Sequence, residues 1–371
     1  MEISSHYYAL LAFCRARGFN AVTAEKIAYA SQFVDDATIN LITVRNPSAC
    51  SGLEDIAGEK CLFDMATCHS YFRIKTFNYT SMIRNTAAFH FVPGCSGTTF
   101  AKKMRCKENS PVIRGIIEEA LTDSDCIRFG MLLHVYADTF SHQGFSGILS
   151  EVNNIDKLDS KEKVAKSFSE FVVGFLDRFG KSSLDKLFDK AVPGYGHAQA
   201  FTFPDEPYLV WSYMYDSSED MTMKYETSGV INNPERFKRA FEQITAYLDS
   251  YLAAHPEYRD ASVSGISMNP LYDTLVASCP SDKRIKLWRA LMVKMKLFKE
   301  GDPALEYDGN AWLRKAFTDF DKKRFDAREV YKAELATGFE GSEWYQYYRA
   351  VRKYKGEFLD RCGKCGCVIS I

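Results

Sequence analysis

Apolar residues recur at helical spacing along most of the chain, and segments that alternate apolar and polar are scarce. Tyr8, Leu11, Ala12 and Arg15 share one register over residues 5–17, and Gly18 ends that segment. A second helix is predicted from Thr23, a candidate N-cap, through Ile27, Ala30, Ser31 and Val34 to Asp35-Asp36. Residues 40–105 are the least regular. Within them 41–44 reads as a short strand, 61–77 as strand or helix, and 89–94 ends in a Pro-Gly turn. Helices are then predicted over 111–121 and 124–143, the second capped by Asp123 or Ser124 and ended by Gly144. Two more follow over 160–190, a loop runs from Pro193 to Pro207, and helices are predicted at 207–217, 234–254, 281–299, 309–319, 324–337 and 342–361. The expected fold class is all-α, a multi-helix bundle over residues 1–260 with a helical C-terminal extension over 261–371.

The 371 residues suffice for a large core, and a hydrophobic share of 46% with 26% charged residues is ordinary for a globular protein. A net charge of -1 gives no overall nucleic-acid footprint. Lys and Arg outnumber Asp and Glu from Ser281 to Arg361, which is read first as a solvated helical surface and second as a lean towards an anionic partner. No apolar stretch approaches the length of a transmembrane helix. The N-terminal residues lack the pattern of a secretory signal, so a cytoplasmic location and reduced thiols are expected for the eleven cysteines. The tail Cys362-Gly-Lys-Cys365-Gly-Cys367 has metal-knuckle spacing but no second Cys or His pair after it, and is read as a packed or frayed terminus.

The chemistry concentrates in one segment. His134, Asp138 and His142 are spaced i, i+4, i+8 and lie on one stripe of the helix predicted there. Gly130, Met131, Leu132, Leu133, Val135, Ala137 and Phe140 make that helix apolar on most sides. A buried His/Asp stripe must be paired or coordinated, and imidazole with carboxylate suits divalent cations, zinc above all. A core histidine capped by a neighbour is the plainer reading of any one of these residues. His6, the Asp35-Asp36 pair, His90, and His197 with Asp205 offer further ligands, enough for one to two ions at one end of the bundle.

In order, His6-x5-Leu-Ala, Ile27-Ala-Tyr-Ala-Ser-Gln-Phe-Val-Asp35-Asp36, His90, His134-Val-Tyr-Ala-Asp138 and His142 resemble the zinc-dependent phospholipase C / S1–P1 nuclease superfamily. The run His134-x-Tyr-Ala-Asp-x-Phe-Ser-His142, with the later Gly-His197 and Pro-Asp205-x-Pro, is also similar to uncharacterised bacterial helical proteins. The superfamily resemblance implies an all-helical fold with a zinc cluster at one end, held by Asp35 or Asp36, His90, His134, Asp138 and His142. The superfamily has a ligating N-terminal Trp where this chain has Met1. It also has a later His-x3-Glu, for which His197 and Asp205 are the replacements to test.

The expected function is therefore metal-dependent phosphoester hydrolysis. Asp35 and Asp36 are the candidates to orient water, and Asp138 or Asp35 to bridge two ions. The substrate would be a phosphorylated small molecule, a lipid or a nucleic acid. Two alternatives stand beside it: a metal-stabilised helical interaction module without turnover, and a metal-dependent oxygenase. No His-Glu-x-x-His, Glu-x-x-His, His-Asp pair, Walker A loop or Gly-x-Ser-x-Gly occurs, which disfavours zincins, ferritin-like di-iron proteins, HD hydrolases, P-loop enzymes and serine hydrolases.

Overall fold

A computed structural model describes residues 1–68, 78–160, 194–216, 223, 225–322 and 332–371. The helices predicted over 160–190, most of the one at 324–337 and the second half of segment 61–77 lie outside the described residues.

Helices dominate. The principal ones are α1 (Leu10–Ala16), α2 (Ala21–Asp36), α3 (Pro111–Ala120), α4 (Cys126–Ser141), α5 (Asn233–Ala254), α6 (Ser281–Lys294) and α7 (Glu343–Lys364). The caps differ by a few residues from the sequence reading. Asn20, not Thr23, caps α2 by accepting from Thr23 N at 2.9 Å, and Asp125 caps α4 by accepting from Ile127 N and Arg128 N. Two widened, π-helical turns precede site residues or carry them: Ser4–Ala9 contains His6, and Met82–Ala87 leads to His90.

The all-α expectation is corrected by two sheets. β1 (Leu41–Val44), β2 (Glu54–Ile56), β3 (Glu59–Phe63) and β7 (Lys332–Ala333) form one, in the order β2-β3-β1-β7 with β1 and β7 parallel. β4 (Ile155–Ser160), β5 (Val210–Tyr215) and β6 (Ile231–Asn232) form the other, antiparallel throughout. The segment predicted as a helix at 207–217 is β5. Its Val-Trp-Ser-Tyr-Met-Tyr buries every second residue, Trp211, Tyr213 and Tyr215, which is the two-residue period of a strand with one covered face. The described remainder of 324–337 includes β7 rather than helix, set by backbone pairing with β1. Among the described residues no helix is long and apolar enough to cross a membrane.

A single hydrophobic cluster runs from Met1 to Cys367 and unites α1 to α7. At its centre α2 crosses α4. The crossing needs Gly130, because a Cβ there would stand 2.2 Å from Ile27 O. That close approach brings Asp35, at the end of α2, to the His134/Asp138 stripe of α4. Gly144, at φ +90°, then turns the chain off α4, and Tyr215 of β5 donates to its carbonyl at 2.8 Å. A smaller cluster of Phe91, Phe145, Trp211 and Tyr213 joins the second sheet to this turn.

Candidate metal centre

The stripe on α4 is buried, with His134, Asp138 and His142 at 0%, 1% and 4% exposure. Four other parts of the chain meet it. His6, from the first turn, stacks on His134 at 3.7 Å between ring centroids and places Nε2 3.1 Å from Asp138 Oδ1. His90 Nδ1 is 3.1 Å from Asp138 Oδ2 and 3.3 Å from His134 Nε2. Asp35 Oδ1 lies 3.8 Å from both His90 Nδ1 and His134 Nε2. On the far side of Asp138, His142 Nε2 is 2.9 Å from Asp205 Oδ1, and His197 Nε2 is 3.5 Å from Asp205 Oδ2. These residues make three groups whose ligand atoms all lie within 4.8 Å of one another: His6, His134 and Asp138; Asp35, His90 and His134; His142, His197 and Asp205.

The chain belongs to the family of unknown function DUF6765, which matches residues 1–362. No curated protein and no solved structure matches it.

In this DUF6765 chain, backbone carbonyls fix the imidazoles. His142 Nδ1 donates to His90 O at 2.7 Å, and His197 Nδ1 donates to Phe201 O at 2.7 Å, so each presents Nε2 to Asp205. His90 Nε2 donates to Thr67 O at 3.1 Å and presents Nδ1 to Asp138. Holding one ring nitrogen by a carbonyl and leaving the other for a cation is how metal-binding histidines are oriented. His134 Nδ1 is buried and has no hydrogen-bond partner among the described residues. Asn233 Nδ2 donates to Phe203 O at 2.7 Å and to Glu206 O at 2.8 Å, pinning both flanks of Asp205.

Sequence reasoning missed one participant. The α-amino group of Met1 donates to Asp138 Oδ1 at 2.6 Å and lies 3.1 Å from Asp205 Oδ1. A backbone amine has no side-chain signature, and only the first turn's geometry reveals it. Asp36 behaves in the opposite way. It accepts a hydrogen bond from Tyr307 and stands outside the three groups, because neighbours on a helix diverge by about 100°.

The cluster is rich in carboxylates and largely buried. Burial disfavours the Met1 ammonium, but Asp138, Asp205 and Asp35 outweigh it and push its pKa up to about 11. Burial and then the Met1 ammonium push His6 down to about 4. Burial takes His197 down to about 4 and, with His6, holds His134 well below the usual imidazole range. Burial disfavours a charged His90, but contacts with Asp138 and Cys68 outweigh it and hold it well above that range. Burial resists ionisation of Asp138 and Asp205, yet the Met1 amine and the histidines hold both well below the carboxylate range. Asp35 goes the other way, pushed up to about 7 by burial, although its side chain keeps 30% exposure and forms the open rim of the cluster.

Proposed function

We propose that this chain is a metal-dependent hydrolase of phosphoric esters, with divalent ions, zinc by donor type, held by the His/Asp cluster. The observation that carries the reading is the convergence of three His/Asp donor groups around one buried carboxylate, Asp138, with a partly exposed carboxylate, Asp35, at the rim. His6, His134, Asp138 and His90 would hold one ion, with Asp35 at the rim beside it, and His142, His197 and Asp205 would hold a second. His134 belongs to two of the groups, and one imidazole nitrogen serves one ion, so those two groups compete for it. Asp138 Oδ1 faces His6 and Oδ2 faces His90, so both its oxygens would serve the larger donor set. Such ions supply Lewis acidity to a phosphoryl oxygen and allow water to act as a nucleophile near neutral pH. The chain's own contribution is to fix the donors in a buried frame and to offer Asp35 as the group that takes a proton from water.

The test is elemental analysis of the purified full-length chain, followed by assay on an aryl phosphodiester and an aryl phosphomonoester before chelation, after it, and after metal restoration. Stoichiometric metal with turnover that follows metal content supports the reading. Absence of stoichiometric metal after reconstitution would sink it. A metal-replete protein inactive on phosphoesters would favour a closed, structural site.

A further inference from the structure

The His/Asp centre makes no use of the basic charge in the C-terminal third, and that charge is concentrated on one helix. α6 (Ser281–Lys294) buries Arg284, Trp288 and Met292, which recur every fourth residue. Arg284 Nη1 donates to Glu2 Oε1 at 2.9 Å and to Ser4 Oγ at 3.1 Å, and Arg289 Nη2 donates to the Tyr8 hydroxyl at 2.9 Å. The inner side of α6 is thus bonded to the N-terminal segment that carries His6. The outer side consists of Lys283, Lys286, Leu287, Ala290 and Lys294, all exposed. At about 100° per residue they fall within an arc of about 100°. Lys296 and Lys299 are exposed just beyond the helix end.

These lysines are not those of an ordinary solvated face. On α7, Arg352 pairs with Glu54, Lys353 with Asp123, Arg361 with Glu119 and Lys364 with Asp360. Among the described residues Lys283, Lys286, Lys294, Lys296 and Lys299 form no ion pair, and neither does Asp282, the one acid of α6. Four residues after Lys283 and Lys286, where an acid would pair with them, stand Leu287 and Ala290. Leu287 keeps 47% exposure in the midst of the lysines. With a net charge of -1 for the whole chain, this face is cationic against an otherwise anionic molecule, so a negative surface would attract it first.

We propose that the outer face of α6 is a docking surface for an anionic lipid bilayer. The lysines lie over acidic headgroups and Leu287 enters the boundary between headgroups and acyl chains, with the helix in the plane of the surface. A nucleic acid would also attract the lysines, but it gains nothing from Leu287. The aromatic residue of α6, Trp288, is fully buried and offers no face for base stacking.

The test is sedimentation of the full-length, metal-replete protein with vesicles of phosphatidylcholine alone or with about 30% phosphatidylserine, at about 0.1 M and about 1 M salt. The protein should bind the anionic vesicles at the lower salt, release at the higher, and ignore phosphatidylcholine alone. A lysine near such a surface contributes about five-fold in affinity, so Lys283→Gln, Lys286→Gln and Lys294→Gln together should weaken binding about 100-fold. Leu287→Ser should weaken it about 5-fold. The same charge change at exposed Lys315, Lys353 and Lys364, each to Gln, should leave binding at the wild-type level. Far-ultraviolet circular dichroism should be unchanged in all of these variants. Absence of a preference for anionic vesicles would overturn the proposal, as would equal losses in the two triple variants or wild-type binding by Leu287→Ser. Short duplex DNA bound more tightly than the anionic vesicles at the same salt would also overturn it, and would assign the face to nucleic acid.

Discussion

Asp138→Asn tests the centre most directly. The change keeps the shape of a side chain that is 1% exposed and removes its charge. In the wild type that charge faces the Met1 amine at 2.6 Å, His6 Nε2 and His90 Nδ1 each at 3.1 Å, and His134 Nε2 at 3.3 Å. Breaking a buried ion pair from one side costs about 3–5 kcal/mol, because the remaining charge stays desolvated. Chelated Asp138→Asn should therefore unfold at lower urea than chelated wild type, by about that amount. An amide oxygen is a much weaker donor than a carboxylate, and Asp138 faces both halves of the larger donor set. Metal affinity should fall at least about 100-fold, equivalent to about 2.7 kcal/mol. The assay is competition for zinc against a chromophoric chelator, paired with phosphodiester turnover at saturating zinc. Turnover should fall by orders of magnitude, while circular dichroism of the metal-saturated variant stays helical. An Asp138→Asn protein with wild-type zinc affinity and turnover would refute the reasoning and leave the stripe as core packing.

Three further outcomes follow from the supporting structure. Gly130→Ala places a Cβ 2.2 Å from Ile27 O; it should destabilise the fold by about 1–3 kcal/mol in urea titration and weaken zinc binding, since Asp35 and His134 sit on the two helices forced apart. Asn233→Ala leaves the carbonyls of Phe203 and Glu206 without their donor at a cost of about 1–3 kcal/mol, and elemental analysis should show loss of the ion at His142, His197 and Asp205 before the other. Lys355, buried and bonded to Asp64, Ala66 O and Asn85, is pushed by burial down to about 8 from 10.5, so its contribution to stability is full above pH 10.5 and is lost as pH falls through 8. The stability gap between wild type and Lys355→Met should shrink by about 3 kcal/mol over that descent, measured by urea unfolding at each pH; a gap independent of pH would contradict the assignment.

The legible parts of this chain are those where chemistry and period coincide. His134, Asp138 and His142 announce themselves because a helix aligns every fourth residue, and the helix on which they sit is apolar enough to be recognised. His6, Asp35, His90, His197 and Asp205 were legible as candidates by type and order, but their meeting depends on Gly130 and on the turn after α4. Asp36 looked equivalent to Asp35 in sequence and is not, because a helix separates adjacent side chains. The sheets were hidden by their shortness. β5 is six residues whose aromatic content and preceding proline suit a helix start as well as a strand, and β6 and β7 are two residues each, defined by pairing alone. The Met1 amine was out of reach for a different reason: its contact with Asp138 joins residues 137 positions apart.

Those hidden elements bear on the site. The first sheet ends in the stretch from Asp64 to Thr67, anchored by Asp64 N donating to Asn40 O and Ala66 N donating to Asn40 Oδ1. Thr67 O then holds His90 Nε2, while Thr67 Oγ1 donates to Val34 O at the end of α2 and meets Tyr347 of α7. Lys355 of α7 grips the same stretch at three points. On the other side the second sheet carries Trp211, whose Nε1 donates to Asn233 Oδ1 and so orients the amide that brackets Asp205. The helices supply the His/Asp stripe together with His6 and Asp35. The stretch after the first sheet supplies the carbonyl that holds His90, and the second sheet orients the Asn233 amide that brackets Asp205; a donor mis-aimed by an ångström is a poor ligand. Residues from the C-terminal third therefore belong to the support of the centre, and this is why Lys355 and Tyr347, though not ligands, share in its geometry.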